Sequence, residues 1–146
     1  MSSVACGMNT LHIHPRSAEL QIVTSGRLVT EMVPENDVND ADGKRRVIRT
    51  ELTANMMTPF YQGSVHTQFN PDCEPATFIA AFFSEDFGAG QVQDETFALS
   101  DDVIVATFGQ SIAGENIDRV CKAIPTSIAL GVDECLKKCN IHKRAI

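Results

Sequence analysis

The fold is decided by one stretch near the start of the chain, residues 7–26, which reads GMNTLHIHPRSAELQIVTSG. His12 and His14 alternate within it, and alternate residues of a β-strand point to the same face about 6.5 to 7 Å apart. From that spacing, two imidazoles can tilt onto one ion. After a turn at Pro15, Glu19 opens the next strand, where an antiparallel neighbour would carry its carboxylate back beside the imidazoles.

His66 is the remaining candidate ligand. It follows Gly63 on a strand far from the first one, so it reaches the same ion only if the sheet closes on itself. The alternative is structural. The two histidines of the first stretch would then lie on an exposed strand face, Glu19 would be solvated and His66 would be a hydrogen-bonded core residue. A single matching histidine is weak evidence for a site.

The first 90 residues carry mainly strand signals, because β-branched and apolar segments alternate with turn formers. We expect two or three short strands within 9–30, and further strands at 47–52, 57–61, 64–70 and 77–83. The acidic segment 34–44 is predicted to be an exposed loop rather than a calcium site, because it lacks the ligand spacing of an EF-hand.

After Ser84 the pattern changes to an irregular stretch followed by helical segments. Helix-start signals precede 103–108 and a run from Gly114 to residue 124, and a last helix is predicted from Pro125 to about Cys139. The predicted organisation is a β-barrel over 1–90 and a helical extension over 91–146 that packs on it.

Charge and hydropathy exclude two classes of partner. The chain has 146 residues with 12 basic and 19 acidic side chains, a net charge of −7 and no basic stripe, so nucleic acid is excluded. The longest apolar run, 78–83, is far too short to cross a bilayer, which excludes membrane insertion.

Five cysteines suit an oxidising compartment, whereas residues 1–7 carry no secretory signal and would leave the chain in the cytoplasm.

Two motifs resemble the two cupin boxes of germins and of their relatives, the spherulins. They are Gly7-x4-His12-x-His14-x4-Glu19-x6-Gly26 and Gly63-x2-His66-x3-Asn70. Asn55 and Tyr61 stand where the second box usually has glycine and proline. The resemblance implies a mainly β fold, a cupin jelly-roll β-barrel with a C-terminal helical tail. It also implies secretion, and it suggests a chain shortened at its N-terminus, since family members usually carry a signal peptide and further strands before the first box.

In germins these ligands hold manganese, so the resemblance implies a divalent metal, manganese, on His12, His14, Glu19 and His66. Iron, nickel, copper or zinc fit the same ligands. The implied activity is that of an oxidoreductase of oxalate-oxidase or superoxide-dismutase type, acting on a small anionic substrate in a homo-oligomer. The alternative is a non-catalytic structural, storage or stress-related protein.

Further residues are candidates for the surroundings of the metal. Asn9 matches an asparagine near the germin site and is the candidate catalytic residue, as a hydrogen-bond donor to the substrate; a turn residue is the equal alternative. Gln68 shares a strand face with His66 and could enter the cavity, although a structural role is the simpler assumption. The cavity walls are predicted to include Ile22, Met57 and Phe82.

Overall fold

The computed structural model describes residues 1–112 and 114–142. The strands are β1 Ser2–Ser3, β2 Gly7–Asn9, β3 His12–Ile13, β4 Glu19–Ser25, β5 Arg27–Val33, β6 Ile48–Thr53, β7 Met57–Phe60, β8 Val65–Phe69, β9 Ala76–Phe82, β10 Gly90–Gln91 and β11 Ile128–Leu130. The helices are α1 Val92–Phe97, α2 Asp101–Thr107, α3 Gly114–Ala123 and α4 Asp133–Lys138.

These strands form two antiparallel sheets. The four-stranded sheet has the order β1-β9-β4-β7. The seven-stranded sheet is centred on β8, which pairs with β5 on one side and with β2 and β3 on the other; β6 pairs with β5, β10 with β3 and β11 with β2. The predicted mainly β jelly-roll with a C-terminal helical region is therefore confirmed.

The chain passes from one sheet to the other at Gly26, between β4 and β5. Gly26 adopts φ +77°, a conformation that side chains disfavour, and a Cβ atom there would lie 2.9 Å from both the Cα and the Cβ of Ala76. Only glycine fits this corner. Asn55, which stands where the second cupin box usually has glycine, takes φ +69°, so asparagine fills the left-handed turn before β7.

Alternation along β4 determines what faces the barrel interior. Glu19, Gln21 and Val23 are buried, whereas Leu20 and Ile22 between them lie on the outer face. The far end of the interior is closed by an apolar cluster of Val23, Leu28, Leu52, Ala76 and Phe78. The interior is thus polar at one end of β4 and apolar at the other.

The last part of the chain is only partly as predicted. The helices expected near 103–108 and after Gly114 are present as α2 and α3, but a continuous helix from Pro125 is wrong. Ile128–Leu130 instead forms β11, because it pairs with Gly7–Asn9, a partner that local sequence cannot reveal. The structure also contains β10 and α1, which the sequence reading left irregular. The division at residue 90 stays a prediction, and residues 143–146 of the predicted extension lie outside the described ones.

Two disulfides join this C-terminal part to the barrel, Cys6–Cys135 and Cys73–Cys139. Cys121 is left as a free, half-buried thiol. Both bonds end on α4 or directly after it, so this helix is covalently held against two connections of the barrel, one between β1 and β2 and one between β8 and β9. Within the described residues, no helix combines the length and the apolar character that crossing a membrane requires.

Candidate metal centre

The four predicted ligands meet inside the barrel. His12 lies on β3, His14 just beyond it, Glu19 at the start of β4 and His66 on β8, and His12 and His66 are direct cross-strand partners. One ligand atom from each residue lies within 4.8 Å of the other three. All four side chains are buried. The required closure of the sheet is therefore present. The alternative is wrong in placing His12 and His14 on an exposed face and Glu19 in solvent, whereas His66 is a hydrogen-bonded core residue in both interpretations.

The carboxylate of Glu19 lies against two of the imidazoles. Its Oε2 atom is 3.1 Å from His14 Nε2 and 3.4 Å from His66 Nε2. The ring centroids of His12 and His66 are 4.2 Å apart, and that of His14 is 5.3 Å from the first and 5.4 Å from the second. Two sheets and three strands thus contribute to one compact group of donors.

Each imidazole is oriented by a backbone carbonyl oxygen on the side away from the cluster. His12 Nδ1 lies 2.8 Å from Thr10 O, and His66 Nδ1 lies 2.8 Å from Ser64 O. His14 Nδ1 lies 2.6 Å from the carbonyl oxygen of Gly88. Because a carbonyl oxygen can only accept a hydrogen bond, each Nδ1 carries the proton. In the neutral form of each ring the lone pair is then on Nε2, which is the nitrogen that faces the cluster.

His12 Nε2 is unprotonated at neutral pH and is therefore available to a metal ion. Burial, followed by repulsion from the neighbouring His66, lowers the pKa of His12 from 6.5 to about 4. His66 Nε2 is fully buried and has no hydrogen-bond partner among the described residues. A buried ring nitrogen without a partner is unfavourable unless a further group binds there.

Aromatic rings enclose the cluster. Phe60 stacks on His66 with centroids 4.3 Å apart, and Phe82 contacts His14 edge-on at 4.7 Å. Phe87 stacks on Phe82 at 3.9 Å and also contacts His14. These rings limit the freedom of the imidazoles and exclude water from around them.

The predicted cavity walls are confirmed for Phe82 and wrong for the other two residues. Ile22 lies on the outer face of its sheet, opposite Met57, whose side chain is 59% exposed. The reason is phase: alternation places Glu19 inward and therefore turns Ile22, three residues later, outward. The sequence did not identify Phe60, Phe87 or Gln21 as neighbours of the cluster. Gln21 could have been found, because it lies two residues after Glu19 on the same strand and therefore faces the same side.

Asn9 and Gln68 lie beside the cluster rather than in it. Both line a cavity of about 470 Å³ that opens near the first residues of the chain, together with Gln91 and Ser127. Gln68 is two residues beyond His66 on the same strand face, and its Oε1 atom is buried without a partner among the described residues. Asn70, also in the second motif, has a structural role: its side-chain nitrogen donates to the carbonyl oxygens of Val4 and Glu74.

The four residues fit a divalent metal ion. Three imidazole nitrogens and one carboxylate oxygen form a mixed donor set suited to manganese, iron, nickel, copper or zinc, and four ligands leave positions open on an octahedral ion. The three carbonyl contacts are the arrangement that usually fixes the tautomer of metal-binding histidines. No donor has to be reoriented for binding to occur.

Comparison with known proteins agrees with this architecture. The Cupin family model matches residues 4–116. Spherulin-1A of Physarum polycephalum is 33% identical over 136 residues, which cover 93% of this chain and 52% of that protein. Germin-like protein 12-2 of Oryza sativa subsp. japonica is 35% identical over 107 residues, covering 70% of this chain and 45% of that protein. The chain spans about half the length of these curated relatives.

A similar fold is found in solved structures. Recombinant oxalate oxidase in complex with glycolate superposes with a TM-score of 0.71 at 20% identity, over 83% of this chain and 59% of that chain. At this identity the match concerns the fold alone. With the family match over residues 4–116 and the two sets of relatives, it leads to one conclusion: the chain belongs to the cupin family, as a germin- and spherulin-like member.

Proposed function

We propose that His12, His14, Glu19 and His66 bind one divalent metal ion, manganese, and that the protein is an oxidoreductase acting on a small anion at this centre. The observation that carries the metal assignment is the orientation of the three imidazoles. Each Nδ1 donates to a backbone carbonyl oxygen, so three Nε2 lone pairs and the Glu19 carboxylate point toward one another.

The choice of manganese rests on the donor set and on the germin-like sequence. An oxygen ligand and three imidazoles accommodate a redox-active ion with open positions, and when bound, manganese would supply Lewis acidity and electron transfer. The chain's own residues would hold the ion, and the rings of Phe60, Phe82 and Phe87 would keep bulk water away from it.

A small oxygen-rich anion such as oxalate is the proposed substrate class. The cavity lined by Asn9 and Gln68 offers amide groups, and its lining residues include no Asp, Glu, Lys or Arg side chain within the described part of the chain. The metal would attract the anion, while Asn9 and Gln68 Nε2 would orient the substrate by donating hydrogen bonds. Oxalate oxidation balances as oxalate + O2 + 2H⁺ → 2CO2 + H2O2.

The test is to purify the chain loaded with manganese, and to measure metal content, oxalate-dependent hydrogen peroxide and superoxide consumption. About one ion per chain with turnover of oxalate or superoxide supports the whole proposal. Stoichiometric metal without turnover of either supports the metal site and favours the non-catalytic, structural or storage role. A protein that holds no metal contradicts both.

We also propose an extracellular location and a homo-oligomer. Two disulfides suit an oxidising compartment. For the oligomer, the support is the outer face of the four-stranded sheet, where Ile22 meets Met57 and Ile79 in register and the latter two are more than half exposed. A second copy would place the same apolar, uncharged face against it. Ile79→Glu should then lower the molar mass measured by light scattering, and an unchanged mass would contradict this face.

A further inference from the structure

A second polar level lies beneath the candidate metal centre. Gln21 follows Glu19 on the inward face of β4, and Gln68 follows His66 on the inward face of β8. The chain reverses between β4 and β5, and β5 is antiparallel to β8, so β4 and β8 run in the same direction. The two glutamines are therefore one step deeper in the barrel than Glu19 and His66, at a common level.

This level is surrounded by further buried polar groups. Thr58 is the cross-strand partner of Gln21, and Thr30 is that of Gln68. Both threonines are almost fully buried. The next residue inward on β4, Val23, already belongs to the apolar cluster. The glutamine level thus separates the candidate metal centre from the apolar core.

The amide of Gln21 has no hydrogen-bond partner in the part of the chain that the structure describes. The residue is 0% exposed, and neither Nε2 nor Oε1 has a hydrogen-bond partner among the described residues. Gln68 Oε1, in a side chain that is 3% exposed, is also without one, so the two amides are not hydrogen-bonded to each other. Buried polar atoms are almost always paired, and an unpaired amide is less favourable in a core than an apolar side chain of the same size.

We propose that Gln21 and Gln68 form a buried binding site for one small neutral hydroxyl-bearing molecule, which is water in the resting protein. Two amide oxygens require donors and one amide nitrogen requires an acceptor. A single water molecule offers two O–H donors and two lone pairs, and so matches all three atoms. A fully deprotonated anion such as oxalate offers no donor to the two amide oxygens, so it cannot replace the water between them, whereas Gln68 Nε2 can still donate into the cavity lined by Asn9.

The site has a consequence for the metal, and this part rests on the proposed function. The water lies one step along the strands from Glu19 and His66, on the core side of the four ligands. Its removal changes the electronic environment of the ion while leaving all four ligands in place. Gln21 is thus a positioning residue, and metal content alone does not report on it.

A double-mutant cycle tests the site in the metal-free protein, with Gln21→Met, Gln68→Met and the double variant. If one water joins the two amides, each single change leaves the other amide unpaired and lowers the unfolding midpoint by about 3 °C. The double variant removes both amides, so its unfolding midpoint is expected to return most of the way to that of the wild type. Gln110→Met, at an exposed glutamine, is the control and leaves the midpoint unchanged. Additive effects, or a midpoint raised by each single change, overturn the proposal.

Crystallography and paramagnetic resonance complete the test. The wild-type crystal structure is expected to show one ordered water between Gln21 and Gln68, absent from Gln21→Met; no water there overturns the site. In the manganese-loaded protein, Gln21→Met is expected to change the Mn(II) resonance line shape at unchanged metal content, and an unchanged line shape overturns the positioning role. A wild-type protein that binds no metal would contradict the proposed function. The double-mutant cycle, which uses the metal-free protein, would still test the water site.

Discussion

Glu19 and His66 come from different sheets, yet Glu19 Oε2 lies 3.4 Å from His66 Nε2 inside the barrel. The chain passes from the four-stranded to the seven-stranded sheet at Gly26. The contact exists because β8, in the second sheet, lies across the barrel interior from β4. It brings the only carboxylate of the four-residue cluster onto the third imidazole. The candidate metal centre can therefore assemble only when the two sheets have packed together.

Replacing Glu19 by glutamine tests the carboxylate. Glu19→Gln keeps the size of the side chain but removes the charge that balances a divalent cation, so metal affinity should fall by more than about 10-fold. Isothermal titration of the metal-free protein with Mn²⁺ measures this. Glu35→Gln, at an exposed loop carboxylate, should leave the affinity unchanged. Equal affinities for the two variants would remove Glu19 from the ligand set.

Phe60 stacks on one face of the His66 imidazole ring. It is 2% exposed and stacks on the imidazole with an interplanar angle of 19°. Phe60→Leu should reduce the free energy of unfolding of the metal-free protein by about 1–2 kcal/mol, from lost burial and lost ring contact. Phe83→Leu, at a ring that is 81% exposed, is the control and should change it by less than about 0.5 kcal/mol. Urea unfolding that fails to separate these variants would show that the stacking is energetically unimportant.

The disulfide between Cys6 and Cys135 holds the C-terminal helix on the barrel across a sequence separation of 129 residues. The paired change Cys6→Ala and Cys135→Ala should lower the free energy of unfolding by about 2–5 kcal/mol, because the unfolded chain regains the freedom that the bond removes. Cys121→Ala, at the free thiol, should cost less than about 1 kcal/mol. If denaturant curves under non-reducing conditions rank the two the other way, the pairing is incorrect.

Asp72 should give the protein part of its sensitivity to acid. Arg27 donates to both of its carboxylate oxygens at 2.9 and 2.8 Å, and Lys138 donates to one at 3.0 Å. The Arg27 hydrogen bonds hold the pKa of Asp72 well below its ordinary value of 3.8. The folded state therefore binds this proton less readily than the unfolded state. The stabilisation is complete above about pH 4 and is lost as the pH falls below it.

Because the Asp72 side chain is 32% exposed, solvent screening limits the effect to about 1 kcal/mol. Asp72→Asn should lower stability at pH 6 by about that amount, and should flatten the decline in stability between about pH 4 and pH 2. Chemical denaturation as a function of pH measures both. Parallel pH profiles for the variant and the wild type would contradict the pKa shift.

The sequence located most of the strands between residues 9 and 83, and it placed three of the four candidate ligands on two neighbouring strands. Alternation on one strand predicts that His12 and His14 share a face, and Glu19 follows at the start of the next strand. The addition of His66 required sheet closure, which the spacing of the two motifs implied only through the resemblance to cupins. The structure shows the closure, with His12 and His66 as cross-strand partners.

What sequence could not provide depends on long-range pairing. Ile128–Leu130 has helical neighbours, and its strand conformation comes from its partner Gly7–Asn9. The cysteine pairing likewise required coordinates, since an odd number of cysteines allows several combinations. The carbonyl oxygen of Gly88, which orients His14, belongs to an irregular segment that no periodicity identifies.

Metal content after dialysis decides whether His12, His14, Glu19 and His66 hold one metal ion. Plasma mass spectrometry should find about one divalent ion per chain in the wild type and in His142→Ala, whose exposed histidine lies outside the cluster. His12→Ala and His66→Ala should each lose stoichiometric binding, because each removes one of three imidazole ligands. Wild-type metal content in both ligand variants would contradict the account.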